Sequence, residues 1–188
     1  MDRPTLAACI DHTRLGPLTT TAEVRAAAET AATAGMHLCV PPRTLTAVPA
    51  DFPGELVTVI GFPHGTDTTA TKATAAATAV ELGADIVDLV PDLGAAVAAA
   101  TDRLQADIAA VTDAVAVPVR VIAETGLTPP AAVERIGAAA VAAGAAGLKT
   151  STGYGGEGAT VPAVRQLAAH LPVKASGGIR TTDDALRL

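Results

Sequence analysis

The stretch VPVRVIAETGLTPPAAVERIGAAAVAAGAAGLKTS, residues 117–151, decides the fold. It begins with a β-branched run at 117–124, continues with an Ala-rich stretch at 129–143 that Gly144 follows, and ends with a second apolar run at 147–151. β-Branched runs favour strands, whereas prolines at the start and a glycine after the end are typical of a helix. The stretch therefore predicts one strand–helix–strand unit, in which a crossover helix joins two parallel strands.

The same alternation recurs along the chain at a spacing of about 25 residues. The predicted strands lie at 7–11, 37–41, 56–61, 84–90, 117–124, 147–151 and 173–176. The predicted helices lie at 20–34, 67–82, 93–115, 129–143 and 161–171, with a short helix near 43–48 and another that starts at 181–184. Such an α/β chain fits a doubly wound parallel sheet or a TIM (β/α)8 barrel. The barrel better explains why polar residues follow most of the strands, because its active sites collect at the carboxyl ends of the strands.

The count of these units is seven, whereas a (β/α)8 barrel has eight. The chain has 188 residues, a length typical of one domain. The helix that starts at 181–184 is followed by neither an eighth strand nor its helix. We therefore expect residues 1–188 to form a single barrel domain that lacks the eighth β/α unit, as a C-terminally truncated chain would.

Composition and charge exclude several classes of protein. Hydrophobic residues make up 49% of the chain and charged residues 17%, which excludes intrinsic disorder. The net charge of -6 and the aromatic content of 2% argue against binding to nucleic acid. The chain shows no signal peptide and no apolar run that could span a bilayer. The two cysteines, Cys9 and Cys39, are too few for a disulfide scaffold and are not spaced as metal ligands. Together these observations predict a cytoplasmic protein with no metal and no membrane partner.

Two lysines at the ends of consecutive predicted strands are the strongest chemical signal. The chain has three lysines, of which Lys149 and Lys174 are each followed by Ser or Thr and then Gly. Neighbouring strands lie about 4.8 Å apart, so two inward lysines at the same height lie within several ångströms of each other. Charge repulsion and burial both favour a neutral amine, which is the nucleophile of Schiff-base chemistry. The alternative is that each lysine only pairs with a carboxylate.

Asp88 is the carboxylate that we expect to face these lysines. Its position in the strand matches that of Ile86 and Val90 and opposes that of Asp85, so only one of the two aspartates points into a barrel. Arg120 on the next strand and the two lysines are available partners. A carboxylate there acts as a structural counter-ion or as a proton relay for imine chemistry, and the two roles are compatible.

Glycine-rich turns follow both lysine strands, at 153–158 and 177–178. Backbone N–H groups in such turns can surround an anion, and loops after the late strands of barrels often hold phosphate, although simple tight turns have the same composition. The residues expected to bind substrate or phosphate are Thr152, Gly153, Ser176, Gly177 and Gly178. Polar residues at other strand ends are expected to support the site, namely Asp11, Thr13, Cys39 and Arg120.

Seven motifs occur in a fixed order along the chain. They are Ile10-Asp-His-Thr13, Leu38-Cys-Val-Pro41, Val59-Ile-Gly-Phe-Pro63, Gly83-Ala-Asp-Ile-Val-Asp88, Val121-Ile-Ala-Glu-Thr125, Lys149-Thr-Ser-Thr-Gly153 and Lys174-Ala-Ser-Gly-Gly178. In this order they resemble the deoxyribose-phosphate aldolase family, and the resemblance extends from about residue 6 to the last residue.

The resemblance implies an aldolase-type TIM barrel that needs no cofactor and uses a Schiff base. It implies reversible cleavage of 2-deoxy-D-ribose 5-phosphate, a small phosphorylated sugar, to D-glyceraldehyde 3-phosphate and acetaldehyde, and it is compatible with a homo-oligomer. By the same resemblance Lys149 forms the Schiff base, Lys174 lowers the pKa of that amine, and Asp88 relays protons. Arg120 stands where the family commonly has Lys.

Two other functions fit the same residues. One is a Schiff-base aldolase that acts on a different aldehyde or keto-phosphate. The other is a non-catalytic fragment that binds sugar phosphates, which the missing eighth unit favours and the intact pair of Lys149 and Lys174 opposes.

Overall fold

Seven parallel strands form the centre of the computed structural model, which describes residues 2–188. The strands are β1 (Asp11–Thr13), β2 (His37–Val40), β3 (Leu56–Ile60), β4 (Ile86–Leu89), β5 (Val119–Ile122), β6 (Gly147–Lys149) and β7 (Val173–Lys174). They pair in chain order, and every pair is parallel. Within the described residues β1 and β7 do not pair with each other, so the sheet is open between them.

Helices lie before β1, after β7 and in most of the connections between strands. They are α1 (Arg3–Ala7), α2 (Thr21–Ala34), α3 (Thr69–Glu81), α4 (Leu93–Val97), α5 (Thr101–Thr112), α6 (Pro130–Ala142), α7 (Val161–Ala168) and α8 (Thr182–Arg187). Their boundaries follow local signals. For α2, the Thr20 side chain and the Glu23 carboxylate form a reciprocal capping box, and Gly35 ends the helix in a left-handed conformation. Every helix within residues 2–188 is too short or too polar to cross a membrane.

The sheet curls into an incomplete barrel. Asp11 on β1 accepts hydrogen bonds from Lys174 on β7 and from Arg120 on β5. Side chains from the first, fifth and last strands can meet in this way only if the sheet bends so that its two edges approach each other. The predicted (β/α)8-type barrel with one unit fewer is therefore confirmed, and the doubly wound alternative is wrong.

The alternation of side chains along each strand separates the core from the lumen. On β4, Val87 and Leu89 lie in the main hydrophobic core with residues of the surrounding helices, whereas Asp88 points to the lumen. The core is built from small aliphatic side chains, with many alanines on the helices. An apolar layer between sheet and helices therefore surrounds a lumen that contains the charged side chains.

The first predicted strand, at 7–11, is wrong. Residues Arg3–Ala7 form α1, and the strand covers only Asp11–Thr13. The Asp2 carboxylate accepts a hydrogen bond from the Thr5 N–H at 2.9 Å, and a proline lies in the first turn, so a capped helix start replaces the strand.

The single helix predicted at 93–115 is two helices, α4 and α5. The Ala100 N–H donates to the Ala95 carbonyl and the Ala99 N–H donates to the Ala96 carbonyl, while Ala99 has a left-handed φ of 55°. These bonds form a Schellman motif that ends α4. Alanine occupies the position that glycine usually takes, so the sequence carries no signal for this break. The short helix predicted near 43–48 is a 3-10 helix at Pro42–Ala47.

Candidate active site

A charged cluster fills the lumen around Asp88, which is fully buried. Arg120 donates from Nε to Oδ1 of Asp88 at 2.6 Å. Lys149 and Lys174 donate from Nζ to the other oxygen, Oδ2, at 3.0 and 2.8 Å. Because both amines bind one oxygen atom, they lie within about 6 Å of each other.

The register of the sheet places these side chains in two neighbouring layers of the lumen, because Arg120 lies opposite Gly147 and Lys149 lies two residues further along β6. Asp88 lies directly opposite Arg120 across β4 and β5, and Lys149 lies directly opposite Lys174 across β6 and β7. Asp11 closes the group from β1, where it accepts hydrogen bonds from Arg120 at 2.8 Å and from Lys174. We call these five residues the lumen cluster.

The lumen cluster holds three cations and two carboxylates, which is a surplus of one positive charge. Burial acts to raise the pKa of Asp88, but Lys149, Lys174 and Arg120 together hold it well below its usual range. Burial likewise acts to lower the pKa of Lys174, but the negative groups around it, Asp88 first, raise it above its ordinary value. Lys174 therefore keeps its proton, and Asp88 keeps its charge.

Two of the residues predicted to support the site differ in their placement. Cys39 is fully buried in a small apolar group with Val57 and Val59, and burial raises the pKa of its thiol. It is therefore a neutral wall residue next to the lumen cluster. Thr13 is exposed, and its hydroxyl donates to the backbone carbonyl of Asp11 at 2.8 Å, so it takes no part in the cluster.

Three loops that contain glycine form the rim above the lumen cluster, at 124–127, 153–158 and 177–178. Their backbones touch each other directly: a Cβ on Gly126 would lie 2.3 Å from the Glu157 carbonyl oxygen, and one on Gly158 would lie 2.2 Å from that of Gly177. The Ala159 N–H also donates to the Gly177 carbonyl at 3.0 Å. Glycine is required here because the loops approach more closely than any side chain allows.

The residues predicted to bind phosphate lie at this rim, but only some of them have a hydrogen-bond donor that the chain itself leaves free. Gly153, Gly177 and Gly178 all have left-handed φ values, and their N–H groups make no hydrogen bond within the described chain. The Thr152 hydroxyl and N–H both donate to Glu124, and the Ser176 hydroxyl donates to the backbone of the neighbouring β6 loop. The glycine backbone, rather than the two hydroxyls, therefore offers donors for an anion.

Glu124 is a residue of the site that the sequence reasoning missed. It directly follows the β5 strand region, is 2% exposed and has a φ of 38°. Its Oε2 accepts from the Thr152 hydroxyl and, at 3.3 Å, from the Thr152 N–H, while its Oε1 has no hydrogen-bonding partner among residues 2–188. A left-handed conformation and burial are uncommon for Glu, and the sequence carries no signal for either.

Two aromatic residues at the mouth were also missed. The rings of Phe62, after β3, and Tyr154, after β6, pack edge to face with centroids 5.4 Å apart and an interplanar angle of 87°. The Lys149 Nζ lies 5.8 Å from the centre of the Phe62 ring, within the range of a cation–π contact. Their signal in the sequence is rarity, because the chain has two Phe, one Tyr and no Trp.

Metal ligands are not grouped in the described part of the chain. Among residues 2–188 there is no set of three or more His, Cys, Asp or Glu side chains placed to hold one ion.

Curated relatives and solved structures agree on the family. The deoxyribose-phosphate aldolase of Natronomonas pharaonis is 46% identical to this chain over 100% of the chain and 87% of the relative. That of Thermus thermophilus is 45% identical over 97% of the chain and 87% of the relative. The tetrameric deoxyribose phosphate aldolase of Aeropyrum pernix superposes with a TM-score of 0.89 and 29% identity, over 98% of the chain and 82% of that structure. No family model matches the chain.

A parallel α/β barrel with lysines grouped in its lumen defines the class of barrel aldolases. The sequence identities of 46% and 45% to curated relatives extend over nearly the whole chain, so they identify one family within this class. The chain belongs to the deoxyribose-phosphate aldolase family, as the sequence motifs predicted.

Proposed function

We propose that this chain reversibly cleaves 2-deoxy-D-ribose 5-phosphate to D-glyceraldehyde 3-phosphate and acetaldehyde, with Lys149 as the Schiff-base nucleophile. The observation that carries the proposal is the shared carboxylate oxygen of Asp88, which holds the Lys149 and Lys174 amines side by side in a buried lumen. Family membership supports the substrate, because the relatives are named for it.

The charge surplus of the lumen cluster supports a neutral nucleophile. Loss of one proton leaves two cations facing two carboxylates, so the cluster becomes neutral. Lys174 keeps its proton because its pKa is raised by the carboxylates around it. Lys149 makes one ion pair where Lys174 makes two, so Lys149 is the proposed nucleophile.

The reaction begins when the Lys149 amine attacks C1 of the open-chain sugar and the C1 oxygen leaves as water, which yields a protonated imine. The C2–C3 bond then breaks, its electrons form the enamine double bond, and the C3 hydroxyl loses its proton as the new aldehyde forms. That proton is delivered to C2, and water hydrolyses the resulting imine to acetaldehyde and free Lys149. Atoms balance, since the proton lost at C3 is the proton gained at C2.

Asp88 and Lys174 are suited to move this proton. The Asp88 carboxylate accepts hydrogen bonds from both lysine amines, so it lies where a proton can pass between them. The Lys174 ammonium lies 2.8 Å from Asp88 and can donate. Arg120 and Asp11 hold the pair in place from β5 and β1.

The phosphate end of the substrate is expected at the glycine rim. The N–H groups of Gly153, Gly177 and Gly178 are unpaired within residues 2–188. Backbone donors in left-handed turns suit an anion.

The test is to trap the imine. Incubation with acetaldehyde and borohydride should leave a reduced two-carbon adduct on Lys149, located by peptide mass spectrometry. Lys72 is the internal control, because it is buried behind the sheet in an ion pair with Asp107 at 2.9 Å. A label on Lys174 or Lys72 in place of Lys149 contradicts the assignment.

Assays with different substrates distinguish the proposed function from its two alternatives. Cleavage of 2-deoxyribose 5-phosphate that exceeds cleavage of the unphosphorylated sugar supports the proposed substrate. Imine trapping without such cleavage indicates a Schiff-base aldolase with another substrate, and binding of the sugar phosphate without trapping indicates a non-catalytic binding protein.

Assembly and location belong to the same proposal. We expect a homo-oligomer, in line with the tetrameric Aeropyrum pernix relative, and a cytoplasmic enzyme, in line with the two free cysteines, Cys9 and Cys39. Light scattering of the purified chain and fractionation of the cells that produce it test the two expectations.

A further inference from the structure

Two of the three aromatic residues of the chain meet at one place, across the mouth of the lumen. Phe62 follows β3 and Tyr154 follows β6, and two strands separate these elements in the sheet. Their rings nevertheless pack edge to face with centroids 5.4 Å apart. The pair therefore bridges loops that follow different strands of the barrel.

The Phe62 ring forms an apolar wall beside the nucleophile. It packs against the group of Cys39, Val57, Val59 and Ile86, and its ring centre lies 5.8 Å from the Lys149 Nζ. The same amine donates to the buried Asp88 carboxylate at 3.0 Å.

The Tyr154 backbone is tied to a buried carboxylate, whereas its ring is half exposed. The Tyr154 N–H donates to the Thr152 Oγ1 at 3.0 Å, and the Thr152 hydroxyl in turn donates to Glu124, which is 2% exposed. This chain of hydrogen bonds holds the start of the loop in place. The tyrosine ring is thereby positioned over Phe62 without being buried itself.

We propose that Tyr154 and Phe62 are specificity-determining residues that limit the size of the aldehyde attached to Lys149. This inference rests on the proposed Schiff-base function. In the imine, the reacting α-carbon lies two bonds, roughly 2.5 Å, from Nζ. A substituent on that carbon, such as the methyl group of propanal, enters the space that the Phe62 ring borders and Tyr154 closes. Acetaldehyde has no such substituent and avoids the rings.

The expected preference for the smaller aldehyde can be estimated from other apolar pockets. One added methylene in an apolar pocket changes transition-state binding by about 10- to 200-fold. We therefore expect acetaldehyde to react with Lys149 at least about 10-fold faster than propanal does.

The experiment is competitive trapping. The full chain is mixed with equal concentrations of acetaldehyde and propanal, borohydride is added after a short time, and mass spectrometry gives the ratio of ethyl to propyl label on the Lys149 peptide. Tyr154→Ala removes one ring, Tyr154→Phe keeps the ring and removes the hydroxyl, and Phe62→Leu removes the other ring at similar volume. Leu186→Ala is the matched control, because Leu186 on α8 is 52% exposed, close to the 50% of Tyr154.

We expect the ratio to fall at least about fivefold in Tyr154→Ala and in Phe62→Leu, and to stay at the original value in Tyr154→Phe and Leu186→Ala. Thermal melts of each variant show that the fold is retained. The inference is overturned if the original chain shows no preference, if both ring removals keep the ratio, or if Tyr154→Phe lowers it as much as Tyr154→Ala. A chain that forms no adduct on Lys149 with either aldehyde overturns the proposed function as well, so the two failures are distinct.

Discussion

Replacement of Asp88 by Asn tests the lumen cluster most directly. The variant keeps the shape of the side chain but removes a negative charge that three cations contact, at 2.6, 2.8 and 3.0 Å. The charge surplus of the cluster rises from one to two, because Asp11 is then the single carboxylate left among its five residues. The new amide group also directs a donor at cations that can only donate.

The magnitude follows from burial, since Asp88 is 0% exposed. Removing one partner of a buried ion pair costs about 3–5 kcal/mol of unfolding free energy. In a domain of this length each kcal/mol lowers Tm by roughly 2–4 °C, so we expect a decrease of roughly 6–20 °C. Loss of a positioned proton carrier lowers the rate of sugar cleavage by about 10²-fold or more.

A matched variant separates the two effects. Asp107→Asn removes a carboxylate that is also buried, and that accepts from Lys72, Thr69 and the Asp92 N–H, but it lies between α3 and α5 on the far side of the sheet. We expect it to lower Tm by a similar amount and to leave kcat unchanged at a temperature well below both melts. Asp88→Asn should lower both quantities.

Scanning calorimetry and a coupled cleavage assay give the two quantities. A stable Asp88→Asn variant with kcat within threefold of the original chain refutes the relay role. A variant whose Tm is within the error of the measurement refutes the argument from the buried ion pairs, and both results together remove Asp88 from the mechanism.

Substitutions in the lumen cluster and in the rim loops separate the roles of charge and of backbone shape. Lys174→Leu removes the charge surplus, so the rate at pH 7 should fall roughly 10²-fold and recover in part as pH rises, whereas an equal loss at every pH in a pH–rate profile indicates a geometric role. The pKa values of Asp11 and Asp88 are lowered in the folded state, so both carboxylates contribute their full stabilisation above pH about 4 and lose it as pH falls further. In urea titrations from pH 7 to 3, the difference in unfolding free energy between the original chain and Asp88→Asn should therefore shrink. A difference that stays constant with pH contradicts this linkage. Gly126→Ala places a Cβ 2.3 Å from a loop carbonyl and should raise KM for the sugar phosphate while acetaldehyde trapping persists, whereas Gly16→Ala, with its nearest contact at 3.4 Å, should leave steady-state kinetics unchanged.

Local sequence patterns were enough to predict the repeating strand–helix unit and the direction of key side chains. The helix predicted at 20–34 agrees with α2 to within one residue, because the ends of α2 depend on neighbouring residues, the Thr20–Glu23 capping box and Gly35. The alternation of a strand likewise directs Asp88 to the lumen, since parity is a local property. Seven motifs in their order along the chain, those of Lys149 and Lys174 among them, indicated the family.

Contacts between distant strands needed the folded barrel. Asp11 joins the lumen cluster only because the sheet curls until β1 approaches β7, a consequence of packing along the whole chain. The Ala99 turn is likewise held by bonds within the folded segment and not by a glycine that could be read in advance.

The loops of the rim show most clearly which contacts the sequence could not predict. Glu124 and Thr152 are 28 residues apart, and Phe62 and Tyr154 lie on loops that two strands separate, so neither pair has a local signature in the chain. Periodicity and caps are determined by residues within a few positions of each other, and they can be recognised in one dimension. Which side chains meet across a lumen depends on strand order, register and curvature together, and these exist only once the chain has folded.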